Sequence, residues 1–315
     1  MQVTHGTITP GAGRGNVATG LALTIGNFDG VHRGHRAMLD RVVAKGRELG
    51  MPGGVLTFEP HPREFFAPAD APSRISRLRE KLERFAEAGI GHAHVLRFDA
   101  RLASQSAERF VEDVLVQGLG VRWLLVGRDF RFGAMRVGDY ALLESAGRRH
   151  RFGLEAMEDV ADAGTRISSS GVRDALSAGD LADAARLLGR PYSMSGRVAH
   201  GEKLGRQLGF PTANIVLRRR PPLAGIFAVT AELEETHAVL RGVASVGRRP
   251  TVRDDAAPLL EVHLFDWDAP LYGRHLRVTF LKKLRDEAKY DGLEALRAAI
   301  ARDAAQARDY LRNHG

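Results

Sequence analysis

The sequence contains no cysteine among its 315 residues. That absence excludes a disulfide framework, a thiolate metal site and a cysteine nucleophile, and it fits the reducing cytosol where we expect the protein to work. Aromatic residues make up only 7% of the chain, and they form no RNA-binding signature. No apolar run reaches the ~18 residues that a membrane helix needs, so we expect no membrane partner.

The remaining composition is that of an ordinary globular protein, with 44% hydrophobic and 27% charged residues. The length allows two domains, each with its own core. The formal net charge of +8 is compatible with nucleic acid, with polyphosphate substrates or with an arginine-rich proteome. Because two prolines follow Arg218-Arg219-Arg220, we interpret that tract as a solvated loop and expect no nucleic-acid partner. Met1 to Gly20 is rich in Gly and Thr, and we interpret it as a loose leader.

Strand and helix signals alternate from Leu21 to about Val160, which predicts a parallel sheet covered on both faces. The predicted strands are 21–25, 54–58, 94–98, 123–126 and 153–160, and the predicted helices are 36–49, 75–88, 106–117, 138–150, 170–178 and 181–188. After Pro191 the pattern changes to short β-rich runs at 198, 226–229, 239–246, 260–265 and 276–280. These runs predict an antiparallel barrel, followed by an amphipathic helix over Leu293 to Leu311. We place the domain boundary near Gly189, giving domains 1–189 and 190–315.

The most informative motif is Gly26-Asn27-Phe28-Asp29-Gly30-Val31-His32-Arg33-Gly34-His35, between the first predicted strand and its helix. Glycines let a backbone approach phosphates closely, and helix N–H groups point at anions. Two imidazoles there can donate hydrogen bonds to phosphoryl oxygens as charge develops. His32-x-Gly34-His35 resembles the loop with which nucleotidyltransferases hold ATP for attack at the α-phosphate. The alternative is a glycine-rich turn with two surface histidines.

Further polar motifs follow other predicted strands. Ile167-Ser168-Ser169-Ser170-Gly171-Val172-Arg173 offers three hydroxyls and a guanidinium at a helix start, either an anion site or simply an N-cap. Phe58-Glu59-Pro60-His61-Pro62 and Asp129-Phe130-Arg131-Phe132 place aromatics beside polar groups, where a flat ligand could stack. Core packing accounts equally well for Phe58 alone.

The second domain carries a motif that runs from Gly201 to Asn214. Its glycines at 201, 205 and 209 predict a loop able to wrap a phosphate chain. Thr212 and Asn214 offer neutral oxygens that suit Mg²⁺. Glu202 follows Gly201 and no Ser or Thr follows Lys203, which argues against a Walker ATPase.

These motifs together resemble the bacterial bifunctional riboflavin kinase/FMN adenylyltransferase (FAD synthetase) family. The resemblance also covers Gly242 to Thr251, Glu261-Val262-His263-Leu264, Tyr272-Gly273 and Leu284-Arg285-Asp286-Glu287, and it runs from about Leu21 to Leu311. Phe227 and Tyr290 depart from it, standing where the family often has Tyr and Phe. The resemblance implies a nucleotidyltransferase-type, Rossmann-like parallel-sheet domain and a six-stranded antiparallel kinase barrel with a terminal helix. It also implies two Mg²⁺-dependent reactions with ATP, in which riboflavin gives FMN and FMN then gives FAD and pyrophosphate.

The resemblance also implies roles for individual residues. In adenylyl transfer, ATP would contact Gly26, Asn27, Phe28, Asp29, His32, Gly34, His35, Ser168, Ser169 and Arg173, of which His32, His35 and Arg173 would be catalytic. The flavin of that reaction would contact Phe58, His61, Pro62, Asp129 and Phe130. In the kinase, ATP would contact Gly201, Lys203, Gly205, Phe210, Pro211, Thr212 and Asn214. Thr212 and Asn214 would hold Mg²⁺, Arg285 and Glu287 would contact the flavin, and Glu261 would be the general base. Without the resemblance, we would interpret Glu261 as a surface glutamate on an edge strand.

Two other enzyme classes share parts of this pattern. A related adenylyl- or cytidylyltransferase would have the first domain but no use for Gly209-Phe210-Pro211-Thr212-Ala213-Asn214. A class I aminoacyl-tRNA synthetase also uses a His-x-Gly-His loop, but the length and the β-rich second domain argue against it. We therefore expect riboflavin, FMN, FAD and ATP as ligands, and a monomer or weak homo-oligomer.

Overall fold

A computed structural model describes residues 1–8, 20–162, 164–201, 204–217, 219–247 and 258–314. The chain forms two compact units. The first holds Met1–Pro72 and Ser76–Ile167, and the second holds Ser73–Ile75 and the chain from Ser168 onward. This structural division lies before the division of activities at residue 189, which stays a prediction.

The first unit is built on a six-stranded parallel sheet in the order β1-β4-β3-β2-β5-β6. Its strands are β1 (Gln2–Gly6), β2 (Leu21–Ile25), β3 (Gly53–Glu59), β4 (His92–Arg97), β5 (Val121–Gly127) and β6 (Gly153–Met157). Every residue of β2 is buried, as expected for a central strand with both faces covered. The predicted parallel sheet is confirmed.

The helices of the first unit follow the strands in alternation. They are α1 (Arg33–Glu48), α2 (Pro62–Phe66), α3 (Leu78–Glu87), α4 (Ala100–Ala103), α5 (Ala107–Arg109) and α6 (Tyr140–His150). The helix predicted over 106–117 is confirmed, and most of it, Phe110–Gly118, is wound as a π-helix that continues α5. The strand predicted over 153–160 ends at Met157 and is followed by a small antiparallel ribbon of β7 (Ala161–Asp162) and β8 (Thr165–Arg166).

The N-terminus corrects a prediction from the sequence. Gln2–Gly6 is not a loose leader but an edge strand, paired in parallel with β4. The pairing is reinforced by side chains, since Thr4 Oγ1 lies 2.8 Å from His94 Nδ1 and His94 Nε2 lies 3.2 Å from the Gly6 carbonyl oxygen. A five-residue strand that depends on a partner 90 residues away leaves little local signal. Residues 9–19 of the same predicted leader lie outside the described residues.

The histidines of β4 predict that β1 loosens in acid. Burial lowers the pKa of His94 from 6.5 to about 4; the charges of His92 and His5 add to this shift, and the hydrogen bond to the Gly6 carbonyl oxygen opposes it. Burial also lowers the pKa of His92. Because the pKa of His94 is lower in the folded than in the unfolded state, the stability that the neutral, buried imidazole contributes is fully present above pH 6.5 and is lost as the pH falls toward 4. Amide hydrogen exchange of β1 should therefore speed up relative to β2 between pH 6.5 and 4. His94→Gln should flatten that dependence, and equal pH profiles for the two strands would contradict it.

The second unit is a six-stranded antiparallel sheet in the order β10-β13-β12-β11-β14-β9. Its strands are β9 (Ser193–Arg197), β10 (Ala213–Val216), β11 (Gly225–Leu233), β12 (Val239–Gly247), β13 (Leu259–Leu264) and β14 (His275–Arg285). The Ala199 N–H donates to the Asn214 carbonyl oxygen at 2.7 Å, which brings the two edges together and nearly closes a barrel. The predicted barrel is confirmed, although β9 ends just before the predicted run at Val198.

The helices in the described part of the second unit are α7 (Ser169–Ala178), α8 (Leu181–Leu188), α9 (Leu204–Gln207) and the terminal α10 (Leu293–His314). α10 buries Ala304, Ala307 and Leu311 in a cluster with Ala228 and Val243 of the sheet. The predicted terminal helix is thereby confirmed. It brings Asp303 to the barrel, where this side chain is 8% exposed.

Candidate active sites

The histidine loop of the first unit lies at the carboxyl end of β2. Within this loop, His32 is the N-cap of α1, and its Nδ1 accepts the His35 N–H at 3.3 Å. The helix begins at Arg33 rather than at the predicted Arg36, so Gly34 and His35 belong to its first turn. The rings of His32 and His35 stack with centroids 3.7 Å apart. Both imidazoles therefore sit at a helix N-terminus, where N–H groups favour anions.

The loop backbone is held in an uncommon conformation. Phe28 has φ 49°, Gly30 has φ 81° and Val31 has φ 42°. Asp29 fixes this path through its buried carboxylate, which accepts the Ser76 N–H at 3.0 Å. The Phe28 side chain is buried against Phe85 and His35, so the structure places it in the core. Such positive φ angles persist only where the surroundings determine them, and they cluster at functional sites.

Two polar atoms of this loop point to a ligand. Among the described residues, Asn27 Oδ1 and His35 Nδ1 are buried atoms without a hydrogen-bond partner. Buried polar groups are nearly always paired, so an orphaned atom needs an explanation. Burial holds the pKa of the His35 imidazole well below its ordinary value, and the charges of His32 and Lys81 lower it further. His35 is therefore neutral at physiological pH, with one N–H available as a donor.

Further predicted residues follow β3 at the same edge of the sheet. His61 caps α2, with Nδ1 accepting the Arg63 N–H at 3.1 Å, and Pro62 is the first residue of that helix. Phe58 packs against the core and meets the Phe98 ring edge-on at 6.0 Å. Core packing, the alternative for Phe58, is thus part of its role here.

An exposed aromatic cluster beside these residues was missed by the sequence analysis. The rings of Phe65 and Phe66 lie 5.5 and 5.6 Å from that of Phe98, and Phe66 is 66% exposed. Exposed phenylalanines grouped at a ligand-binding edge are typical of a surface for a flat apolar ring. The adjacent Phe65-Phe66 pair, three residues after Pro62, was the available signal.

The motif after β5 is arranged differently. The Asp129 carboxylate is exposed and accepts from Arg166 at 3.1 Å. The Phe130 ring stacks on the core residue Phe132, with centroids 5.5 Å apart. Both residues are held by neighbours, and their contact with a flavin stays a prediction.

Ser168, Ser169 and Arg173 belong to the second unit. Ser168 is the N-cap of α7, since its Oγ accepts the Gly171 N–H at 3.2 Å, and Ser169 is the first helical residue. The N-cap alternative is thus realised for Ser168. Arg173 Nε donates to the Ser73 carbonyl oxygen at 2.8 Å. Their contact with ATP stays a prediction.

In the barrel, pairing across three strands assembles a polar group around Glu261. Glu261 on β13 lies opposite Asn214 of β10 and Ser245 of β12. Asn214 is buried, and its Oδ1 has no hydrogen-bond partner among the described residues. A side chain at Gly201 would overlap the Asn214 amide, so the loop needs glycine there.

A cavity of about 250 Å³ opens beside Glu261. Glu287 lines it, and burial together with the charge of Glu261 raises the pKa of this second carboxyl. Arg285, another lining residue, makes a bidentate ion pair with Asp303 of α10 at 2.8 and 2.5 Å. The predicted flavin contacts Arg285 and Glu287 thus both line the cavity. The ion pair of Arg285 with Asp303 also links the terminal helix to the strand that lines the cavity.

A second cavity of about 360 Å³ lies next to the first. Thr212 lines both cavities, and Pro211 lines the second. Phe210 lines the first and meets the His263 ring edge-on, while a side chain at Gly205 would strike the Phe210 carbonyl oxygen. Lys203 lies outside the described residues. Two cavities that share a polar residue suit two ligands whose reacting groups meet at Thr212.

These features define a class of protein. A parallel α/β sheet with histidines at a helix N-terminus, joined to a barrel with a carboxylate beside paired cavities, is an arrangement for phosphate transfer at two centres.

Comparisons with known proteins identify the family. Residues 16–171 match the family model described as FAD synthetase, and residues 188–311 match that of riboflavin kinase. The chain is 49% identical to the bifunctional riboflavin kinase/FMN adenylyltransferase of Escherichia coli strain K12 over 93% of both chains. It is 50% identical to the protein of that name from Pseudomonas fluorescens over 92% of both. The chain therefore belongs to the bifunctional riboflavin kinase/FMN adenylyltransferase family, and the resemblance drawn from its motifs is confirmed.

One solved structure is similar along almost its whole length. It is described as a macrolide-efflux protein from Streptococcus pneumoniae, is 26% identical, and superposes with a TM-score of 0.77 over 98% of this chain and 99% of that one. Within the described part of this chain, no helix has both the length and the apolar character to cross a membrane.

Proposed function

We propose that this chain phosphorylates riboflavin to FMN with ATP and then adenylylates FMN with a second ATP, giving FAD and pyrophosphate. The observation that carries this proposal is that family models for both activities match one chain, and that its relatives are named for both activities. We infer a cytoplasmic enzyme, monomeric or weakly self-associating, without a nucleic-acid partner.

Adenylyl transfer is assigned to the histidine loop. A phosphate oxygen of FMN attacks the α-phosphorus of ATP, the bond from that phosphorus to the bridging oxygen breaks, and pyrophosphate leaves. His32 and His35 donate hydrogen bonds to the phosphoryl oxygens on which negative charge increases. The buried Asn27 Oδ1 and His35 Nδ1, which lack partners among the described residues, support this assignment. Arg173, Ser168 and Ser169 are the proposed contacts to the remaining phosphates.

The flavin of this step is assigned to the aromatic edge after β3. Phe58, His61, Pro62, Asp129 and Phe130 are the proposed contacts. The exposed rings of Phe65 and Phe66, together with the half-buried ring of Phe98, add an apolar surface on which an isoalloxazine could rest.

Phosphorylation is assigned to the barrel. Glu261 accepts the proton of the riboflavin 5′-hydroxyl while that oxygen bonds to the γ-phosphorus, and the bond to the bridging oxygen breaks to release ADP. The cavity that Glu261 shares with Arg285 and Glu287 is the proposed flavin pocket. The adjoining cavity is assigned to ATP, with Gly201 and Lys203 as further proposed contacts. Gly205 and Phe210, also proposed to contact ATP, line the flavin cavity.

Mg²⁺ fits the neutral oxygens that Thr212 and Asn214 offer. Asn214 Oδ1 is a buried oxygen without a partner among the described residues, and Thr212, two residues earlier in the chain, lines both cavities. Neutral oxygens of this kind suit a hard cation that also binds phosphate. When bound, the ion would neutralise phosphate charge, and Thr212 and Asn214 would hold it.

Product analysis tests the proposed function. The purified protein is incubated with riboflavin, ATP and Mg²⁺, and the flavins are separated by chromatography. We expect FMN to appear first and FAD to follow, with both absent when EDTA replaces Mg²⁺. Formation of neither product by a folded protein would overturn the proposal, and formation of FMN alone would overturn its second half.

A further inference from the structure

The histidine loop is held by one neighbouring segment of chain, from Ser76 through α3. Ser76 Oγ accepts the Gly30 N–H at 2.9 Å, and the Ser76 N–H donates to Asp29. Phe85 packs edge-on against Phe28, with centroids 5.3 Å apart. Three consecutive loop residues are thus each fixed by this segment, which explains how the positive φ angles of the loop are maintained.

A fourth contact from the same segment carries a charge. Lys81 of α3 is only 2% exposed, although lysines are almost always at the surface. Its Nζ donates to the Asn27 carbonyl oxygen at 2.8 Å and to Thr57 Oγ1 at 3.2 Å. Asn27 is the loop residue before Phe28, so the contacts of this segment run unbroken from residue 27 to residue 30.

Burying an ammonium group costs free energy, so its position calls for a reason. Packing alone would be served better by an apolar residue such as methionine or leucine. The ammonium lies close enough to the histidines to act on His35 electrostatically. The charge of Lys81 therefore acts on the histidine loop, where we propose that the ATP phosphates bind.

We propose that Lys81 is a positioning residue for adenylyl transfer, which orients the Asn27–Phe28 peptide of the histidine loop. The inference rests on the proposed assignment of ATP to the histidine loop. Because the carbonyl and N–H of a peptide point in opposite directions, binding the Asn27 carbonyl to Lys81 turns the Phe28 N–H away from the ammonium. The buried positive charge also opposes protonation of His35. His32 and Lys81 are the charged or titratable groups that act on this imidazole.

The test replaces Lys81 by methionine, which has similar length but neither charge nor donor. We expect kcat for FAD formation from FMN to fall by ~10²-fold, the usual size for a lost electrostatic element, with KM for ATP changed only a few-fold. Removing the charge should raise the pKa of His35, measured by NMR titration of its ring. Riboflavin phosphorylation by the same preparation should stay at the wild-type rate.

Arg79→Met is the matched control, because Arg79 lies on the same helix with its side chain 50% exposed and paired to Glu83. This variant should change neither the rate of FAD formation nor the pKa of His35. Lys81→Gln guards against misfolding of the methionine variant, since it keeps a donor for the Asn27 carbonyl but lacks the charge. It should show an intermediate rate and the same rise in the pKa of His35.

Each remaining outcome counts against the proposal. Lys81→Met activity within threefold of wild type, an unchanged His35 pKa, or an equal loss of kinase activity in both Lys81 variants would overturn it. The His35→Ala variant shows whether a negative result concerns the role of Lys81 or the assignment of adenylyl transfer to the histidine loop. If that variant abolishes FAD formation while Lys81→Met does not, only the role of Lys81 is wrong.

Discussion

His35→Ala should reduce FAD formation from FMN by ~10²–10³-fold, the usual effect of removing one donor aimed at transition-state charge. The expectation follows from the placement of His35 in the first turn of α1, stacked on His32. Its low pKa means that the imidazole acts as a neutral donor throughout the physiological range. Riboflavin phosphorylation should stay within a few-fold of wild type, because the barrel is a separate compact unit. Both rates are measured on one preparation by following FMN and FAD chromatographically.

A matched control is His150→Ala, which removes a histidine from the last turn of α6. It should leave both rates unchanged. Equal loss of both activities in folded His35→Ala protein would contradict the assignment of this residue to one site. Retention of FAD formation would remove the histidine loop from the reaction.

The parts of the molecule that the sequence could predict are those encoded locally. The histidine loop lies between an apolar strand and a helix, and its ten residues carry the glycines and histidines together. The position of Glu261 followed from strand alternation, because Leu260 and Val262 are buried while Glu261 reaches a cavity. In both cases the neighbours in sequence determine the direction of the functional side chain.

The parts that escaped prediction depend on contacts distant in sequence. Lys81 stands between Glu80 and Leu82 on a helix, and its pattern gives no sign that the Asn27 carbonyl lies within reach, 54 residues earlier. The edge strand β1 exists because β4 offers an open edge for pairing. The ion pair of Arg285 with Asp303 likewise requires knowing where α10 packs. Residue patterns specify faces and elements, whereas these contacts are specified by how the elements assemble.

Glu261→Gln should lower the rate of riboflavin phosphorylation by ~10²–10⁴-fold, the range that a positioned general base contributes. Glutamine keeps the size and shape of the side chain and removes only its ability to accept the 5′-hydroxyl proton. The pairing of Glu261 with Asn214 and Ser245 uses the backbone, so the strands should be undisturbed. FAD formation from supplied FMN should therefore continue at the wild-type rate.

The control for this variant is the same substitution at Glu232, a carboxylate of β11 that pairs with His237 and has a side chain 37% exposed. Glu232→Gln should phosphorylate riboflavin normally. The neighbouring Glu287 matters to the comparison, because it lines the same cavity and its pKa is raised by burial and by the charge of Glu261. If Glu261→Gln phosphorylates riboflavin within a few-fold of wild type, the proton is taken by another group, and Glu287 is the carboxylate in the same cavity to substitute next. If the rate falls as expected and rises again with pH as hydroxide replaces the missing base, Glu261 acts through proton transfer rather than through packing.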